Sequence, residues 1–120
     1  MSELENRAMV VFTTLDQCLI ATFPSSLGGA SSDHIMAQTL ERCAQQRFRA
    51  VIFDLSPLEL IDLSEWEWLS SLANSVRLMG SSPWFAGLRP SVVATLVTLN
   101  APIPNLPCAL GVEDALKSSR

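Results

Sequence analysis

The sequence predicts an α/β fold, a mixed β-sheet covered by about four helices, and three observations carry that expectation. Short apolar runs and amphipathic helical stretches alternate in the order β-β-α-β-α-β-α-β-α. The run from Val51 to Ser64, VIFDLSPLELIDLS, reads as a fully covered strand, a turn broken by Pro57, and the start of a helix. Punctuating residues fall between the runs: Gly80 after one helical stretch, Pro90 at the start of the next, and three prolines between Asn100 and Pro107.

Taken in order, Met9 to Thr14 and Cys18 to Phe23 are strand-like and flank Leu15, Asp16 and Gln17, a spacing suited to a tight antiparallel hairpin. Pro24 to Ser32 is polar and glycine-rich, hence a loop. From Asp33 to about Arg47 the apolar residues Met36, Leu40, Cys43 and Ala44 recur at helical spacing, with Ser32 or Asp33 as the cap. Ala50 to Leu55 is the central strand. The second helix opens on a Ser64-x-x-Glu67 capping box, with Leu63 and Trp68 as its hydrophobic staple, and runs to about Met79. Its inner stripe is Leu69, Leu72, Ala73, Val76 and Met79. Trp84 to Leu88 is the fourth strand, and Arg89-Pro90-Ser91 opens a helix to about Leu99. Asn100 to Pro107 is an irregular crossover, followed by a short strand at Cys108 to Leu110 and a helical stub from Val112.

Composition bounds the function. A chain of 120 residues is expected to form a single domain spanning residues 1–120. The charged fraction is low at 17%, which leaves apolar surface over for partners. Net charge is −4, and Arg42, Arg47, Arg49, Arg77 and Arg89 are scattered without forming a stripe, so no nucleic-acid partner is expected. The start MSELENR lacks a signal-peptide pattern, and no apolar run reaches membrane-span length, so the expectation is a cytoplasmic protein without membrane association. Cys18, Cys43 and Cys108 are odd in number and widely spaced, which favours reduced thiols over a metal or redox site.

Candidate chemistry concentrates after the central strand, where α/β proteins commonly place function. Asp54 ends the strand and would orient the following turn. The receiver-domain alternative needs an acid cluster for Mg²⁺ and a lysine on a later strand, whereas the sole lysine is Lys117. His34 is the sole histidine, and there is no G-x-S-x-G elbow. Gly28-Gly29 is not followed by a Walker lysine. A small phosphotransfer or hydrolytic enzyme is therefore disfavoured, and no cofactor or metal is implied. Trp66 and Trp68, two apart on one helix, cannot both face the core, so one is expected to be partly exposed near the loop. Trp84 reads as core.

Four segments, QCLIATF (Gln17 to Phe23), VIFDLSPLELID (Val51 to Asp62), VRLMG (Val76 to Gly80) and GLRPSVVATLVTL (Gly87 to Leu99), together resemble the STAS domain of anti-sigma-factor antagonists, and within it the RsbS type of stressosome scaffold. VRLMG and GLRP also resemble the carboxyl-terminal STAS domain of RsbR co-antagonists, and the lack of a sensor domain ahead of the motifs points to the RsbS type. The resemblance implies a non-catalytic stress-signalling protein, a homo-oligomer or large hetero-oligomer built with RsbR-like STAS paralogues, that sequesters an RsbT-like switch kinase. The alternative it leaves is a stand-alone antagonist binding an anti-sigma kinase one to one. It further implies a partner-binding loop comprising Asp54, Asp62, Leu63, Ser64, Glu65 and Trp66. The usual phosphoacceptor is a serine directly after the acid matched by Asp62. Here that position is Leu63, so phospho-switching is expected to be altered or moved to Ser64, with Ser56 the poorer candidate.

Overall fold

Regular structure begins with an antiparallel hairpin, β1 (Val11–Leu15) and β2 (Cys18–Thr22). The computed structural model describes residues 9–27 and 32–120; the amino-terminal MSELENR and the Gly28-Gly29 pair lie outside the described residues. Asp16 and Gln17 form the turn at φ 53° and 63°, the paired positive angles of a type I′ turn, and Leu15 lies opposite Cys18. Arg49 fixes this turn. Its guanidinium donates to the Asp16 carbonyl (3.0 Å) and carboxylate (3.0 Å), and also to Ser119 Oγ (2.6 Å) and the Leu116 carbonyl (3.2 Å).

The chain continues through α1 (Ser32–Gln45), β3 (Ala50–Asp54), α2 (Leu63–Leu78), β4 (Ser82–Ala86), α3 (Pro90–Thr98), β5 (Cys108–Ala109) and α4 (Val112–Ser118). The sheet order is β1-β2-β3-β4-β5, antiparallel between β1 and β2 and parallel elsewhere. On one face Leu19, Val51, Phe53 and Phe85 pack with Ile35 of α1, Leu69, Leu72 and Val76 of α2, and Val92 and Leu96 of α3. On the other, Cys18, Ile20, Ala50, Ile52 and Ala86 pack with Ala115 of α4. Thus β2 and β3 are buried on both faces, which is why they read as continuous apolar runs. Among the described residues no helix is long and apolar enough to cross a membrane.

The structure corrects several expectations. Strand β4 starts at Ser82, two residues early, and includes Pro83. The N–H groups of Phe85 and Gly87 point to the β5 side, reaching the carbonyls of Pro107 and Ala109. Pro83 has the same parity and lies before β5 begins, so its missing N–H breaks no ladder bond. In α1 the fully buried positions are Ile35 and Thr39, while Ala44 is exposed. The Thr39 hydroxyl is accommodated by donating to the Ile35 carbonyl (2.8 Å). Ser32 and Asp33 lie inside the first turn of α1, not at its cap, and the preceding position lies outside the described residues. Met79 is 44% exposed and serves as the C-cap of α2, ahead of Gly80 at φ 97°. Trp84 is only half-buried, against the α4 side.

Candidate functional site

The loop from β3 to α2 is built by alternating anchors and exposed side chains. Leu55, Leu58 and Ile61 are buried, whereas Ser56, Glu59, Leu60 and Asp62 are exposed. Apolar spacing along LSPLELI therefore pins the loop to the core at three points and turns the residues between them outward. Asp54 orients the first turn as its position suggests: its Oδ1 accepts from the Ser56 N–H (3.1 Å) and Ser56 Oγ (2.8 Å). Further along, the Ser25 carbonyl accepts from the Glu59 N–H (2.8 Å).

Two residues of the β4–α3 turn complete the framework. Arg89 Nε donates to the Ser56 carbonyl (2.7 Å), and its guanidinium lies 3.6 Å from the Glu59 carboxylate. Gly87 sits at φ 77°, and a Cβ there would come within 2.9 Å of Ser56 Cβ. The two loops approach so closely that only glycine fits. Neither Arg89 nor Gly87 was legible as part of the site. Their contacts span about thirty residues of sequence, and the sole signal was the GLRP segment itself.

The helix start differs from the expected one. Asp62, not Ser64, is the N-cap of α2, and the capping box is Asp62 with Glu65. Asp62 Oδ1 accepts from the Glu65 N–H (2.8 Å), and Glu65 Oε1 accepts from the Asp62 N–H (2.9 Å). D-x-x-E two residues earlier wins over S-x-x-E because it places Ile61 and Trp66, both buried, at the staple positions. Leu63 becomes the first helical residue, 37% exposed, and Ser64 the second. Ser64 is exposed, and its hydroxyl makes no hydrogen bond among the described residues.

This shift also sorts the tryptophans. Trp66 is 2% exposed, packs on Phe85, and donates its indole N–H to the Pro102 carbonyl (2.8 Å), so it is a core residue and not part of a docking surface. Trp68 is half-buried against Phe23, with its indole N–H unpartnered.

Two depressions flank the loop. One of about 400 Å³ lies between the loop and α3, lined by Glu59, Leu60, Asp62, Glu65, Val92 and Thr95 among others. The other, about 220 Å³, lies between the starts of α1 and α2 and includes Leu27, Ile35, Ser64 and Trp68. The exposed surface is acidic with an apolar centre: Glu59, Asp62 and Glu67 surround Leu60 and Leu63, and Arg89 is committed to Ser56 and Glu59. Among the described residues no group of three or more His, Cys, Asp or Glu is placed to hold a metal ion. Lys117 lies on α4, on the far side of the sheet from α2. His34 is exposed in the first turn of α1.

The family model of the STAS domain matches residues 9–115. Among curated proteins of Bacillus subtilis (strain 168), the RsbT co-antagonist RsbRC is 37% identical over 65 residues, covering 54% of this chain and 23% of that protein. The co-antagonist RsbRB is 27% identical over 82 residues, covering 68% and 30% respectively. The chain thus spans less than a third of the length of either relative. Among solved structures, a chain from the molecular architecture of the stressosome superposes with TM-score 0.79 at 18% identity, over 91% of this chain and 95% of that one. A serine-to-glutamate variant of RsbS from Moorella thermoacetica gives 0.77 at 19% identity, over 92% and 93%. At such identities these structures establish a shared fold.

Proposed function

The chain belongs to the STAS domain family, and from that premise we propose that it is a non-catalytic stressosome scaffold of the RsbS type. In this reading it assembles with RsbR-like paralogues and docks an RsbT-like serine kinase on the loop from Ser56 to Ser64. The observation that carries the docking surface is the anchored loop. A turn tied by Asp54, Ser25 and Arg89 presents Leu60 and Leu63 to solvent inside an acidic rim. An apolar centre with a polar rim is the usual anatomy of a protein interface, and a preformed loop lowers the entropic cost of docking. Likeness in fold to a stressosome chain and to RsbS, over 95% and 93% of their lengths, supports the scaffold reading.

The same geometry bears on the switch. Phosphate on the first turn of a helix is stabilised by free N–H groups and the helix dipole, and it places a dianion on a docking surface. Leu63 has no hydroxyl, and the Ser56 hydroxyl is engaged by Asp54. Ser64 is freed from capping by Asp62 and is the acceptor that remains, though Glu65 and Glu67 beside it disfavour added negative charge. The switch is therefore weakened and displaced by one residue.

The test is co-expression with an RsbR-like paralogue and an RsbT-like kinase. The kinase should co-elute with the parent chain and be lost from Leu60→Asp and Leu63→Asp variants that still co-elute with the paralogue. Kinase bound equally by both variants would refute docking at this loop. Mass gained by the parent but not by Ser64→Ala would identify the acceptor.

A further inference from the structure

We propose that the end of the molecule opposite the loop is a second docking surface, one that takes an acidic segment of a partner protein. Helices α1, α2 and α4 each follow a parallel strand and run back to the amino-terminal end of the sheet. The basic residues of their last turns, Arg42, Arg77 and Lys117, therefore arrive at one pole, where they complement the helix dipoles. Arg47, Arg49 and Arg120 join them from outside the helices, so cations spread along the sequence become one cluster in the fold. The described acids at that end are Asp16 and Glu41, and Asp16 is already paired with Arg49 (3.0 Å) and Arg120 (3.3 Å). The opposite pole carries Glu59, Asp62, Glu65, Glu67, Glu113 and Asp114, with Arg89 as its one described cation.

The basic pole is a preformed surface. The Arg49 N–H donates to the Gln17 carbonyl (3.0 Å), the Ser82 N–H to the Arg49 carbonyl (3.2 Å) and Ser81 Oγ to the Phe48 carbonyl (2.9 Å). The Arg49 guanidinium ties in Ser119 (2.6 Å), so the hairpin turn, the entries to β3 and β4 and the end of α4 hold together. On this frame Arg47 and Lys117 are exposed, and their side chains make no hydrogen bond or ion pair among the described residues. Arg42 lies over the Phe12 ring, 4.5 Å from its centroid, with its N–H groups left for a ligand. Leu78, 88% exposed, stands at the same end with the exposed Leu15 and Met79.

Charge selects the occupant. Unpaired guanidinium and ammonium groups beside exposed apolar side chains match carboxylates interleaved with apolar residues. A long phosphate chain is disfavoured, because the net charge of −4 and the acidic pole repel it beyond the few cations it would touch. A second copy of this chain is not the occupant: seating its acidic pole here joins unlike surfaces, which propagates as an open chain and covers the loop from Ser56 to Ser64. A partner segment bound at the basic pole leaves that loop free, so the two surfaces can be filled together.

The experiment is fluorescence anisotropy of a fluorescein-labelled peptide of alternating Glu and Leu, titrated with the pure full chain at low and at physiological salt. The parent should bind it, lose affinity as salt rises, and bind the same peptide with Gln for Glu about tenfold more weakly or worse. The double variant Arg47→Glu with Lys117→Glu should lose about tenfold or more, whereas Leu63→Ala at the other pole should bind as the parent does. Both basic sites are exposed, so the double variant's thermal midpoint should match the parent's. Absence of peptide binding by the parent, equal binding of the Gln peptide, or a folded double variant that binds as well as the parent would each overturn the assignment. Tighter binding of oligothymidylate or of phosphatidylglycerol vesicles through Arg47 and Lys117 would overturn it in favour of a nucleic acid or a membrane. Kinase capture by the loop should be unchanged in the double variant, so failure here leaves the scaffold reading standing.

Discussion

Removing the Asp62 carboxylate should destabilise the fold far more than removing the Ser64 hydroxyl, although the sequence pattern makes Ser64 look like the cap. Asp62→Ala deletes the 2.8 Å bond to the Glu65 N–H and an acid at the positive end of the helix dipole. It also leaves the reciprocal 2.9 Å bond from the Asp62 N–H to Glu65 without the geometry that aligns it. An N-cap loss of this kind costs about 1–2 kcal/mol. For a chain of 120 residues the unfolding entropy is about 0.25 kcal/mol/K, so the midpoint should fall by about 4–8 °C. Asp62→Asn keeps an acceptor and should retain most of the stability, and Ser64→Ala should stay within about 0.5 kcal/mol of the parent. Urea unfolding followed by tryptophan fluorescence reads all three variants, with an unchanged slope confirming a shared unfolding transition. A Ser64→Ala cost equal to that of Asp62→Ala would refute the cap assignment, and with it the argument that Ser64 is free.

Gly87→Ala should cost about 1–3 kcal/mol, since it combines a positive φ with the close approach to Ser56. Gly80→Ala, at φ 97° but with no neighbour within 4 Å, carries the backbone cost alone and should lose less than Gly87→Ala in the same assay; equal losses would show that the two loops do not abut as described. Trp66→Ala should cost about 3–5 kcal/mol as a core truncation, against under about 0.5 kcal/mol for Leu60→Ala, measured by the same unfolding curves. Burial pushes the Cys43 and Cys108 thiols above the ordinary thiol range, which lowers their thiolate fraction near neutral pH. Alkylation of Cys43 in the native chain should therefore be slower at neutral pH than that of the exposed Cys108 and accelerate as pH rises, with the fully buried Cys18 reacting last. Rapid modification of Cys43 at neutral pH would contradict the packing.

The sheet was legible because burial writes itself into composition. Strands β2 and β3 are covered on both faces and appear as unbroken apolar runs, and the hairpin spacing around Asp16 and Gln17 leaves room for just one tight turn. Helix α3 was fixed by Pro90 at its first position. The start of α2 was not, because two overlapping capping signatures, Asp62 with Glu65 and Ser64 with Glu67, are both valid locally. Tertiary burial of Ile61 and Trp66 decides between them. That single choice moved Ser64 out of the cap and Trp66 into the core. Strand β4 was read late because Pro83 looks like a breaker until the short reach of β5 is known. Arg89 was invisible as a loop clamp, since nothing near it in sequence indicates that Ser56 will lie within reach.

The scaffold reading is tested most directly by the mass of the species formed when this chain is co-expressed with an RsbR-like STAS protein, measured by light scattering after size exclusion. The account predicts a particle of megadalton scale containing both chains. A chain that elutes alone as a monomer or dimer in the presence of that partner would contradict the scaffold and transfer the docking loop to a one-to-one antagonist.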